Sequence, residues 1–337
     1  MAATTPFILP EGNVQISLSG GRTSAYMLAR IMDANPGAVQ DESRVQVVFC
    51  NTGRERPETL DFVAEIGRRW QVPIVWIEFQ QGAPGQRFRV VGRQGASLDG
   101  EPFRDLIFWR SFMPHATARF CTSELKVRPA RDYLRSIGWD QWTAAVGFRA
   151  DEAHRDGSTG VARERWTRWC PMIEAETTKR DVIAFWQDQP FDLGLSSDGR
   201  TPLGNCDGCM LKSERVLSAL ARDEPDRHAW WEDMERVLTE RWWSLTPWAR
   251  LRRIIASDQY KTVKDKTAPR LRAAYGRPIP KSVLLQVADR PRTMSFNKRV
   301  SRRAIREKVE RQGDWIFSAE ADDLGVLCQV DGGECIE

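Results

Sequence analysis

The chain has 337 residues, 41% hydrophobic and 28% charged, with a formal net charge of +4. That is ordinary globular usage, which excludes a wholly disordered, collagenous or coiled-coil chain. No run approaches the ~20 apolar residues of a membrane span, and Met1 to Pro10 lacks the basic region and apolar core of a secretory signal. Seven cysteines, an odd number, then read as cytoplasmic thiols suited to metal ligation or reactivity rather than to a disulfide framework.

In chain order, Val14 to Leu18 reads as a short buried strand ended by Gly20 and Gly21. The spacing of Tyr26, Met27, Ile31 and Met32 predicts a helix over 23–35, stopped by Pro36 and Gly37. A strand over 45–50, an amphipathic helix over 57–70 and a strand over 73–79 follow. This alternation predicts an α/β fold, a parallel sheet flanked by helices with right-handed crossovers. Residues 80–104, rich in Gly, Gln and Arg, read as an insertion or mobile loop over the site. Residues 143–147 read as a later strand and 179–187 as a helix; from about Ser213 the chain reads mainly helical.

Charge is distributed unevenly along the chain. Residues 1–240 carry 30 Lys and Arg against 34 Asp and Glu, residues 241–311 carry 20 against 5, and residues 312–337 carry 7 acids and no base. Such a basic block is an electrostatic footprint for DNA or tRNA. The competing reading is a solvated helical surface paired with the acidic tail. Trp230, Trp231, Trp242 and Trp243 offer either base-stacking platforms or packing.

The segment Leu18-Ser-Gly-Gly-Arg-Thr-Ser24 carries the first chemistry. Glycines at a strand-to-helix turn let the backbone approach an anion, and the N–H groups and dipole of the new helix favour phosphate. The Ser19, Thr23 and Ser24 hydroxyls add donors. The turn resembles the SGGxxS pyrophosphate loop of the PP-loop ATP pyrophosphatase and PAPS reductase superfamily. Further segments resemble the same family in the same order: Asn51-Thr-Gly-Arg-Glu-Arg-Pro-Glu-Thr59 is similar to DTGxxFPET, with Asn51 where Asp is usual. Arg119-Phe-Cys-Thr-Ser-Glu-Leu-Lys-Val-Arg-Pro129 resembles the CxxxxKxxP element, and Gly147 to Arg155 resembles GxRxxxSxxR, with Ala153 for Ser.

The resemblance implies an adenine nucleotide alpha hydrolase-like domain over 1–212, followed by a basic helical module over 213–313 and an acidic tail over 314–337. It implies an enzyme acting on ATP or an adenylylsulfate-type nucleotide, by sulfonucleotide reduction or by ATP α–β cleavage for sulfur transfer, with a sulfur donor or reductant protein as partner. Ser19, Gly20, Gly21, Arg22, Thr23 and Ser24, with Asn51, Thr52, Gly53, Glu58 and Thr59, would surround the nucleotide, accompanied by Mg2+. Lys126, Arg149 and Arg155 would neutralise leaving-group charge. A non-catalytic, nucleic-acid-associated protein that keeps the fold and metal site structurally is the alternative.

Asn205-Cys-Asp-Gly-Cys209 is a CxxC turn, a geometry that presents two thiolates to one metal; a redox dithiol competes. Cys121, Cys170, Cys206 and Cys209 resemble the [4Fe–4S] set of adenylylsulfate reductases and DNA-phosphorothioation enzymes, and zinc suits the same four thiolates. Cys50 reads as a small apolar residue. Glu334-Cys335 shares two letters with the family's tail nucleophile, but the surrounding acids oppose a thiolate there; a Cys328–Cys335 redox pair is a further alternative. Among the histidines, only His154 falls near the expected substrate.

Overall fold

In the computed structural model, residues 6–115, 119–156, 164–194, 206–244 and 301–312 are described. Strand β1 (Val14–Leu18) buries Val14, Ile16 and Leu18 on one face and turns Gln15 and Ser17 to the other, the period of two that a pleated strand requires. It is followed by α1 (Arg22–Ala34), β2 (Val45–Asn51), α2 (Pro57–Trp70) and β3 (Ile74–Phe79). These lie close to the bounds expected from periodicity. Helix α2 begins with proline at its first turn and ends at Gln71 in the left-handed conformation, so both of its boundaries have local causes.

Residues 80–104 correct the expected loop. They contain β4 (Phe88–Val91), which pairs antiparallel with β3, and the start of α3 (Glu101–Arg110). The segment is anchored through Glu78, which is fully buried and accepts bonds from Arg89, Asn51 Nδ2 and the Ser97 N–H. A helical stretch then runs through α4 (Phe120–Thr122), a π-helical turn (Ser123–Val127) and α5 (Arg128–Ser136). Next come β5 (Trp142–Ala145), β6 (Trp166–Trp169), α6 (Pro171–Glu174) and α7 (Lys179–Gln187).

The strands form one sheet in the order β4-β3-β2-β1-β5-β6, parallel except for β4. The larger core packs β1 and β2 against α1, α2 and α7 through Ile16, Met27, Ile31, Leu60, Ile66 and Trp186. On the opposite face, α5 covers Val48 and Ile77 through Ala130. The helices α8 (Glu214–Asp223), α9 (Pro225–Trp243) and α10 (Arg302–Gln312) bear out the helical reading within the described residues. One hydrophobic cluster joins Phe79, Phe103 and Leu106 to Trp231, Met234 and Leu238, so α9 packs directly onto the sheet domain. No described helix is long and apolar enough to cross a membrane.

Candidate functional site

The chain leaves β1 toward β2 on one side and returns to β5 on the other. The carboxyl ends of β1 and β5 therefore flank the point where strand order reverses, where open α/β sheets bind ligands. The Ser19–Ser24 turn lies there. Gly20 sits at φ +85°, and a Cβ at that position would lie 2.6 Å from Thr59 Cγ2, so both conformation and space demand glycine. Gly21 is the N-cap of α1 and offers no side-chain cap to the helix. Ser24 Oγ accepts from the Ser19 N–H at 3.0 Å and lies 2.8 Å from Ser19 Oγ, which closes the turn on itself.

Arg149, after β5, is buried and donates to Thr23 Oγ1 at 3.2 Å. Its guanidinium is also held by Asp151 and Glu152, which brings a fixed positive charge to the first turn of α1. Arg155 bonds Glu152 instead and lies 4.9 Å over the Phe148 ring. Arg22 turns away to Asp192. Beside the turn runs a cleft of about 280 Å³ along the sheet face, lined by Ser17, Ser19, Val48, Cys50, Lys126 and Val146 among others. Lys126 belongs to the π-helical turn, a distortion frequent at functional sites.

The Asn51–Gly53 segment is scaffold more than surface. Asn51 is fully buried; its Nδ2 donates to Glu78 at 2.6 Å and to the Ser97 carbonyl at 2.8 Å, and its Oδ1 accepts from the Gly53 N–H. This explains asparagine at a position where the resemblance leads one to expect aspartate: a carboxylate there would face Glu78. Thr52 is held by Glu55 and contacts Cys206 Sγ at 3.2 Å. Glu58 pairs with Arg56 at an exposed position, and Thr59 is buried behind Gly20. His154 is exposed.

Cys121, Cys206 and Cys209 line one small apolar pocket together with Thr52 and Lys126. Cys170 does not join them; it is buried against Val146 and Phe148, because Pro171 turns the chain into α6 at that point. Among the described residues no group of three or more His, Cys, Asp or Glu is placed to hold a metal ion. Of the four thiols expected to hold a [4Fe–4S] cluster or zinc, Cys121, Cys206 and Cys209 lie together and Cys170 stands apart. Burial pushes the Cys121 thiol up to about 12 and raises that of Cys206 as well. Cys50 lines the cleft, and its thiol donates to the Lys126 carbonyl at 3.4 Å. Cys328 and Cys335 lie outside the described residues.

What sequence reasoning missed is the brace behind the CxxC turn. Asp207 is fully buried and accepts from Arg54 at 2.7 Å, Arg227 at 2.6 Å and Trp231 Nε1 at 2.7 Å. Arg302 of α10 donates to the Gly208 carbonyl, and any side chain at Gly208 would run into Trp231. Trp231 is therefore a packing residue, while Trp230 lies under the Arg54 guanidinium. The Trp242 and Trp243 side chains lie outside the described residues. Within α10, Arg306 and Lys308 pair with Glu232 of α9 and Glu214 of α8, and Arg303 pairs with Glu307 of α10 itself; the acidic tail lies outside the described residues.

A family model described as the phosphoadenosine phosphosulfate reductase domain matches residues 13–191. An uncharacterized nin region protein, ORF290, of Escherichia phage lambda is 31% identical over 232 residues, covering 67% of this chain and 72% of that protein. An uncharacterized 37.8 kDa protein in the gpa 5′ region of Escherichia phage 186 is 24% identical over 167 residues, covering 41% of this chain and 48% of that one. The crystal structure of phosphoadenylyl-sulfate reductase from Candida auris, in its phosphate complex, aligns at 15% identity and a TM-score of 0.35 over 55% of this chain and 80% of that one. With a family match over more than half its length, the chain is a member of the phosphoadenosine phosphosulfate reductase domain family.

Proposed function

We propose that this chain is an enzyme that cleaves an adenine nucleotide at its α–β anhydride, with ATP as the substrate and an adenylated acceptor primed for sulfur transfer as the product. The phosphates would lie on the Ser19–Ser24 turn, and the base and ribose in the cleft along β1, β2 and β5. The observation that carries this reading is the turn itself: glycines at a strand-to-helix junction, two serine hydroxyls, and the buried Arg149 guanidinium on Thr23, all at the switch point of the sheet.

In this arrangement the amide dipoles of α1 and the Arg149 charge stabilise negative charge that builds on the leaving pyrophosphate. Lys126 lines both the cleft and the thiol pocket and so adjoins both. Two serines and two glycines in the turn favour a pyrophosphate. Reduction of a sulfonucleotide, with a reductant protein as electron source, is the other outcome open to test. A DNA or tRNA acceptor would be held by residues 241–311, which carry 20 Lys and Arg against 5 Asp and Glu, and its binding would weaken steeply with salt.

The test is an anaerobic screen of ATP, adenylylsulfate and its 3′-phosphorylated form for binding and turnover, with candidate acceptors present. Pyrophosphate release from ATP supports the proposal. Release of sulfite from a sulfonucleotide moves the protein to the reductase chemistry, and no turnover with strong, salt-sensitive nucleic-acid binding favours a non-catalytic role.

A further inference from the structure

We propose that Ser17 reads the base of the bound nucleotide, its hydroxyl fixed as a donor that accepts adenine and disfavours guanine. This deepens the cleft assignment above and rests on it. Trp142 Nε1–H can only donate, and it lies 3.1 Å from Gln15 Oε1. That fixes the carboxamide, with its oxygen toward Trp142 and its Nε2 toward Ser17, whose Oγ it reaches at 3.3 Å. Ser17 Oγ therefore accepts, and its own proton is turned away from Gln15. Among the described residues the Ser17 hydroxyl makes no second bond.

Gln15 and Ser17 occupy one face of β1 because side chains alternate along a strand, and both line the cleft together with Ser19 just beyond the strand. Ser17 is half-buried, in register with Val48 of β2, while Val146 after β5 also lines the cleft. A flat heteroaromatic ring between these apolar side chains meets Ser17 on the strand beneath it, and the neighbouring Gln15 is already engaged by Trp142 and Ser17. Ser17 precedes the Gly20–Gly21 turn by roughly 10 Å at ~3.3 Å per strand residue. A nucleotide anchored by its phosphates at the turn thus presents its far, Watson–Crick edge toward Ser17. There adenine offers N1 as an acceptor, whereas guanine carries an N–H that opposes the serine proton.

The experiment compares binding of ATP, GTP and 1-deaza-ATP to the full chain and to its Ser17→Ala and Gln15→Glu variants, with urea midpoints confirming that each variant is folded. Ser17→Ala is expected to weaken ATP about fivefold to tenfold, the range of one net hydrogen bond, and to leave GTP unweakened. Wild-type protein is expected to bind 1-deaza-ATP as weakly as the Ser17→Ala variant binds ATP, with no further loss when the two changes are combined. In Gln15→Glu the carboxylate accepts from both Trp142 and Ser17, turning a serine lone pair into the cleft, so ATP weakens and GTP gains. Equal ATP affinity in wild type and Ser17→Ala, or 1-deaza-ATP bound as well as ATP, overturns the inference while leaving the nucleotide site standing. Wild-type protein that binds none of the three overturns both.

Discussion

Replacing Gly20 by alanine separates the structural and chemical duties of the anion turn. At φ +85° a residue with a Cβ costs about 1–2 kcal/mol in backbone strain. The new methyl would also lie 2.6 Å from Thr59 Cγ2 and 3.1 Å from Phe49 Cε2, an overpacking that costs about 1–3 kcal/mol. Gly20→Ala is therefore expected to destabilise by roughly 2–5 kcal/mol, lowering the urea midpoint by roughly 0.7–2.5 M at an m-value near ~2–3 kcal/mol/M. Adding Thr59→Ser removes the methyl in the way and should return the packing share but not the backbone share. Gly21 has φ −98° and ψ 162°, extended geometry that carries no backbone strain for a residue with a Cβ, so Gly21→Val lacks the backbone share of the cost, and its side chain in the turn should abolish nucleotide binding. The assay is paired urea unfolding and ATP titration of all four proteins. A Gly20→Ala midpoint equal to wild type, or Gly21→Val with full ATP affinity, would refute the reasoning.

Asp207→Ala leaves the buried Arg54 guanidinium without its carboxylate and is expected to cost about 3–5 kcal/mol by urea unfolding; a loss below about 1 kcal/mol would show that the brace is dispensable. Asn51→Asp puts a second carboxyl against Glu78, where the two would share a proton. The new carboxyl's pKa is then raised in the folded state, so the variant should approach wild-type stability at acidic pH and lose about 2–3 kcal/mol as pH rises to 7; a pH-independent difference would contradict this. Burial pushes the Cys170 thiol up to about 12, so the stability it lends is complete below about pH 9 and is lost as pH rises toward 12. The urea midpoint should accordingly fall less between pH 8 and 10 in Cys170→Ala than in wild type. Cys170→Ser is expected to leave the iron or zinc content of anaerobically purified protein unchanged, and a loss of metal would place Cys170 among the ligands.

The first half of the sheet was legible because β1, α1, β2, α2 and β3 each carry a clear apolar period bounded by glycine or proline. Strand β4 was not, since an edge strand of four residues with Arg89 and Val90 exposed has no buried face to announce it. Strand β6, Trp-Thr-Arg-Trp, escaped for the same reason. At the site, the anion turn is local and could be read directly from residues 18–24. The Asp207 brace is built from residues 54, 207, 227, 231 and 302, and no spacing rule joins positions so far apart. Resemblance groups Cys170 with the other thiols, yet at the start of the short helix α6 it packs into a separate apolar cluster.

The central claim is that an adenine nucleotide docks its phosphates on the turn between β1 and α1. A crystal structure with a non-hydrolysable ATP analogue tests it most directly. Phosphate oxygens are expected within hydrogen-bond distance of the Ser19–Ser24 hydroxyls and backbone amides, with the base beside Ser17. A nucleotide bound elsewhere, with this turn empty, would contradict it.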